Sequence, residues 1–200
     1  GIKTAWLKYY YPLDFMAATM NSFIDKADRL KSYLSVCNDM GIKILAPDVN
    51  KSLELFSRSK ESIIFGLKGI KNMGKTSKLI IEERKERGIF KSYQDFAVRM
   101  AKYQKIDKRA LEGAIYAGAL DTFPKTRRAK LETLDLILKK ASISKKDFQS
   151  GQITFADILP KNLYNDVVKI PDLEEFNKKY KLKKEREFAG FYVTEHPLDE

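Results

Sequence analysis

The chain has a single cysteine, Cys37, a single histidine, His196, and a single tryptophan, Trp6. One cysteine excludes an intrachain disulfide and any cysteine-built zinc cluster. It also suits a reducing compartment, so a cytoplasmic location is expected. The lone histidine sits in Glu195-His196-Pro197 and leaves no Cys–His pair and no metal cluster to assemble. Apolar runs are far shorter than a membrane-spanning helix requires, and the first residues show no signal-peptide pattern. No membrane partner is expected. Both ends fall inside apparent helical patterns, with Gly1 at the start, so the chain is expected to be cut from a longer protein.

Positive charge, by contrast, is abundant. Lys and Arg number 38 against 27 Asp and Glu, for a formal net charge of +11 and a pI near 9.5 over 200 residues. Hydrophobic residues make up 44%, enough for a packed core, so disorder throughout is excluded. A soluble basic domain fits a polyanionic partner, because each neutralised phosphate releases condensed counterions. A lysine-rich, merely solvated surface is the plainer alternative.

Apolar spacing predicts a mainly α-helical fold with a small β element. Pro12 opens a helix in which Phe15, Met16, Thr19, Met20 and Phe23 recur at helical spacing. A second helix is expected over 25–40, closed by Gly41. Residues 42–46 and 62–66 are short strand candidates around a Pro47–Asn50 turn. Further helices are expected over 75–87, 92–101, 107–116 and 125–141, with Asp107 capping the third of these. Residues 142–171 read as a polar linker, followed by a charged helix over 173–188.

Three segments carry the candidate chemistry. The first is Phe65-Gly66-Leu67-Lys68-Gly69-Ile70-Lys71-Asn72-Met73-Gly74-Lys75. A glycine-rich turn opening a helix aims unpaired N–H groups outward at the positive end of the dipole, where phosphate is favoured. Candidate contacts are Lys68, Gly69, Lys71, Asn72, Met73, Gly74 and Lys75, with Asn72 suited to a left-handed backbone. This resembles the helix-hairpin-helix motif. An ordinary capped turn between core helices explains the same letters. Gly69 to Thr76 also spells G-x-x-x-x-G-K-T, but a phosphate loop needs a βαβ unit around it, which the downstream helices do not supply.

The second segment runs from Lys108 to Asp121. Its candidate contacts are Arg109, the turn Ala117-Gly118-Ala119, and Arg127 and Arg128 just beyond. Lys125, Arg127 and Arg128 oppose the dipole of the helix they open, which hints at an external anion; simple solvation is the alternative. The third segment, Gln152-Ile153-Thr154-Phe155, resembles short clamp-binding peptides. It departs from their pattern by following Phe155 with Ala156, and local packing explains it nearly as well.

Taken in order, these clusters resemble the bacterial DNA polymerase III alpha subunit family, the C-family replicative polymerases. The resemblance rests on Thr4-Ala5-Trp6-Leu7-Lys8, Tyr11-Pro12 and Phe15-Met16-Ala17-Ala18, then Met40-Gly41-Ile42-Lys43-Ile44-Leu45 with Pro47-Asp48-Val49-Asn50. Phe65-Gly66-Leu67, Ile70 to Gly74, Ala117 to Asp121, Gly190-Phe191-Tyr192 and His196-Pro197-Leu198-Asp199 complete it. It implies the end of the fingers at 1–66, a tandem helix-hairpin-helix module at 67–141, and a linker with a clamp-binding peptide at 142–171. A helix at 172–200 would then lead toward an oligonucleotide-binding barrel. It further implies duplex DNA, the sliding clamp and other replisome subunits as partners. Nucleotidyl transfer and its Mg²⁺ ions would belong to the palm of the parent enzyme, with no cofactor and no catalytic residue here.

Overall fold

The computed structural model describes residues 12–104, 106–149 and 168–194. Helix α1 (Pro12–Ser22) begins with proline where the missing N–H costs nothing, and Asp14 in its first turn suits the dipole. It buries Leu13, Met16, Ala17 and Met20 against α2 (Ala27–Asp39), which answers with Leu30, Leu34 and Cys37. Burial pushes the Cys37 thiol up to about 11, so it packs as a small apolar group rather than a nucleophile. Gly41, at φ +71°, closes α2: its N–H donates to the Asn38 carbonyl, and that of Ile42 to Cys37.

The β element is a three-stranded sheet of β1 (Lys43–Leu45), β2 (Ser57–Ser59) and β3 (Ser62–Ile64) in the order β1-β3-β2. β1 pairs with β3 in parallel and β2 with β3 antiparallel. The sequence marks β1 and β3 but not β2, because Ser57-Arg58-Ser59 has no apolar face. Asn21 ties the sheet to α1 by accepting from the Phe56 N–H at 2.7 Å and donating to its carbonyl at 3.0 Å.

The chain then recrosses itself at Gly66, where a Cβ would lie 2.5 Å from the Leu55 carbonyl carbon. Only glycine allows that approach. After a single 3-10 turn at Leu67–Gly69 come α3 (Thr76–Arg87), α4 (Tyr93–Gln104), α5 (Lys108–Tyr116), α6 (Arg127–Gln149) and α7 (Lys178–Phe188). One continuous core joins them, from Met20 through Phe65 and Phe96 to Phe188.

Two boundaries differ from the sequence reading. Helix α6 runs to Gln149 instead of ending near 141, since no glycine or proline interrupts it before Gly151. The last helix starts at Lys178 rather than 173. Asn177 caps it, accepting from the Tyr180 N–H at 3.0 Å, and residues 172–176 form a strap outside any helix or strand. Nor is the end of the expected linker loose, because Val168 is buried and its backbone pairs with the side chain of Gln94.

A buried ion cluster fastens α3 to α4. Arg99 donates to Glu83 at 3.0 Å, to Asp95 at 3.2 Å and to the Gly88 carbonyl at 2.8 Å, with its guanidinium 4.4 Å from the Phe90 ring centre. Arg87 takes the second oxygen of Glu83 at 2.7 Å. Breaking such a buried pair costs about 3–5 kcal/mol, because the remaining charge stays desolvated. Arg99→Ala should therefore lower the unfolding free energy from urea melts by about that amount, with the midpoint falling and the denaturant slope unchanged.

Candidate nucleic-acid interface

The first glycine-rich segment forms a tight turn between the 3-10 turn and α3. Its inner side is fully committed. Met73 is 1% exposed, and Gly69 packs so closely on Phe65 that a Cβ would meet the ring at 3.1 Å. The Gly69, Lys71 and Met73 amides donate to the Gly66, Phe188 and Ile70 carbonyls. Its outer side is open. Asn72 adopts φ +67° and Gly74 φ +37°, the left-handed backbone their types tolerate. The Asn72, Gly74 and Lys75 amides donate to no described residue, and all three residues are exposed at the N-terminus of α3. Lys71 and Lys75 flank them. Lys71 also pairs with Glu187 at 3.2 Å, and Lys68 sits further back with Asp25 at 3.4 Å. The arrangement is an anion cradle of backbone donors with lysine reinforcement.

The same details dispose of the phosphate-loop letters. Gly69 lies in a 3-10 turn rather than in a loop leaving a strand, and the amides of Gly69, Lys71 and Met73 are already used within the chain.

The second segment packs directly against the first. A Cβ on Gly113 of α5 would lie 2.7 Å from the Lys71 carbonyl oxygen, so the two backbones touch there. Arg109, exposed and four residues earlier, shares that helix face. Ala117, Gly118 and Ala119, however, are buried, and their amides donate to Gly113, Ile115 and Ala114. The expectation that they face a phosphate is corrected: they close α5, and the Ala119 carbonyl accepts from the Val49 N–H at 3.1 Å. Lys130 braces the following turn from inside, donating to the Leu120 and Phe123 carbonyls at 2.8 and 3.0 Å, and its burial lowers its pKa.

Arg127 is corrected too. It is 2% exposed and donates to Asp121 at 2.6 Å and to Glu185 at 2.7 Å. Burial works against its charge, yet the two carboxylates more than offset this and raise its pKa. Arg128 stays exposed, paired with Glu132 at 3.1 Å, and Lys125 pairs with Asp172. The cations that oppose the α6 dipole thus have internal counterions: Asp121 and Glu132 lie close in sequence, while Asp172 and Glu185 come from 47 and 58 residues downstream, where spacing gave no sign of them. Even the helix N-terminus is filled. Glu175 accepts from the Arg127 and Arg128 amides at 3.1 and 3.3 Å.

A family model for the helix-hairpin-helix motif matches residues 41–130, covering both turns. Curated relatives extend the match. The chain is 35% identical over 199 residues to the DNA polymerase III subunit alpha of Borreliella burgdorferi and 34% over 203 residues to that of Vibrio cholerae. It is 36% identical over 198 residues to that of Thermus aquaticus. The chain is homologous to one segment of the DNA polymerase III alpha subunit. These matches take in 98–99% of this chain but only 16–17% of each relative.

Within the matched residues, the first turn keeps its outward donors and the second turns inward as support. Gln152, Ile153, Thr154 and Phe155 lie outside the described residues. Among the described residues there is no cluster of three or more potential metal ligands, and no helix is long and apolar enough to cross a membrane.

The Glu175 cap makes the strap acid-sensitive. Burial would raise its carboxyl pKa, but the N–H groups of Phe176, Arg127 and Arg128, with Lys181, more than offset this and hold it below the ordinary value. A depressed carboxyl pKa contributes stability above the unfolded value, about 4.3, and that contribution is lost as pH falls through the folded value. NMR titration should show the Arg127 and Arg128 amide resonances shifting below about pH 4. Glu175→Gln should abolish that step.

Proposed function

We propose that this chain grips the sugar-phosphate backbone of duplex DNA without reading sequence, as a non-catalytic part of a replicative DNA polymerase. The observation that carries this is the outward row of amides at Asn72, Gly74 and Lys75, which donate to no described residue, with the Lys71 and Lys75 side chains beside them at the start of α3. Arg109 adds charge along the neighbouring helix. Arg128 adds more, since an exposed i,i+4 pair with Glu132 is worth only about 0.3–0.5 kcal/mol and yields readily to a phosphate. Lys68 contributes at longer range.

The same proposal places nucleotidyl transfer and its Mg²⁺ in the remainder of the parent polymerase, and the parent in the cytoplasm among other replisome subunits. It assigns Gln152–Phe155 to the sliding clamp, where Phe155→Ala should reduce capture in a clamp pull-down.

Duplex binding of the chain should be indifferent to sequence, with log K falling by about 0.9 per phosphate contact against log salt. Lys71→Ala with Lys75→Ala should flatten that slope by roughly 2. Gly74→Val should weaken duplex binding, with the helical CD spectrum retained and a modestly lowered melting temperature, because its Cβ has open space but a β-branched residue strains the left-handed backbone there. Chelation of divalent metal should change nothing. Full duplex affinity in Gly74→Val would contradict the assignment.

A further inference from the structure

A second band of positive charge lies on the face formed by α2, β1 and α7. Lys179, Lys183 and Arg186 follow one another at i, i+4 and i+7 along α7, so they share one side of the helix, about 5.4 Å per turn. All three are exposed. Lys31 of α2 crosses toward them over Gly190, where a Cβ would meet its Cγ at 3.0 Å. Between these elements runs a groove of about 390 Å³, lined by Lys31, Ser35, Asn38, Lys43, Arg186 and Tyr192. Its outer reach continues past Lys179 and Lys183.

Two features suit this groove to a ligand. No carboxylate among the described residues lies within ion-pair distance of Lys31, Lys43, Lys179, Lys183 or Arg186. Glu187, the carboxylate on its border, is held by Lys71 at 3.2 Å and Lys184 at 3.3 Å. The floor is also braced, because the Phe191 ring stacks on buried Phe65 at 5.5 Å between centroids. Tyr192 stands half-buried beside it, with the Arg186 guanidinium 5.8 Å from its ring centre.

We propose that this groove binds single-stranded nucleic acid, with phosphates along Lys179, Lys183 and Arg186 and a base stacked against Tyr192. Cations tracking a backbone beside an aromatic platform are what a single strand recognises. A duplex is too broad for a recess of this size and presents no free base face. The groove also adjoins the hairpin. The Phe188 carbonyl, between Arg186 and Tyr192 in sequence, accepts the Lys71 N–H at 2.8 Å. The groove thus lies close to a duplex held at Asn72–Lys75, within reach of a single-stranded extension. The inference goes beyond the duplex grip and stands on different residues.

The test is fluorescence anisotropy of the 200-residue chain with a labelled oligothymidine and with a blunt duplex. A glutamate-rich peptide serves as competitor. Lys183→Glu with Arg186→Glu should weaken oligothymidine binding by at least about tenfold and leave duplex binding within about twofold. Tyr192→Ala should cost about five- to a hundredfold for the single strand alone, with Tyr192→Phe retaining affinity. Gly74→Val should spare single-strand binding, which separates this site from the hairpin. Failure of the wild-type chain to bind oligothymidine at low salt would overturn the proposal. So would equal losses for both nucleic acids, or binding of the acidic peptide in place of the oligonucleotide.

Discussion

Arg127 and Glu185 meet inside the protein, 2% and 0% exposed at their side chains, and four stretches of chain converge on that pair. Arg127 opens α6 and reaches back to Asp121 in the preceding turn. Glu185 stands on α7 and also accepts from the Val193 and Thr194 amides and the Thr194 hydroxyl. Each charge is desolvated, so each depends on the other and on its remaining hydrogen bonds. Because α7 is held here, its C-terminal carbonyl at Phe188 can accept the Lys71 N–H and fix the first turn. The outward posture of Asn72, Gly74 and Lys75 follows from an ion pair elsewhere in the fold.

This explains why two similar-looking turns have different fates. The first spends its inner amides on Gly66, Ile70 and Phe188 and leaves a short outer row without an acceptor among the described residues. The second lies under α6 and α7, so its amides close α5 and its cations find Asp121, Glu185, Asp172 and Glu132. Glu175 takes the position an anion would hold at the start of α6. The contact of Gly113 with the Lys71 carbonyl joins the turns into one unit with one exposed cradle.

Much of this was legible in the sequence because it is local. Pro12, Gly41 and Asp107 mark element ends through backbone rules, and helical spacing places α1 to α5 within a few residues. Asn72 and Gly74 announce a left-handed turn. The misses at the candidate site turn mostly on long-range contacts. Arg127 looks like a surface cation until a carboxylate 58 residues away is brought beside it. Ala117 to Ala119 look like a second cradle until α6 covers them. β2 has no apolar alternation to reveal it, and the basic band joins α2 and β1 to α7, which lies far from them in the chain.

The central claim is that one turn, not two, presents backbone donors to a phosphate. Amide resonances followed while a short blunt duplex is titrated into the chain test it most directly. The account predicts that Asn72, Gly74 and Lys75 shift first and furthest, while Ala117, Gly118 and Ala119 stay in place. Shifts centred on residues 117–119 and Arg127, with 72–75 unmoved, would contradict it.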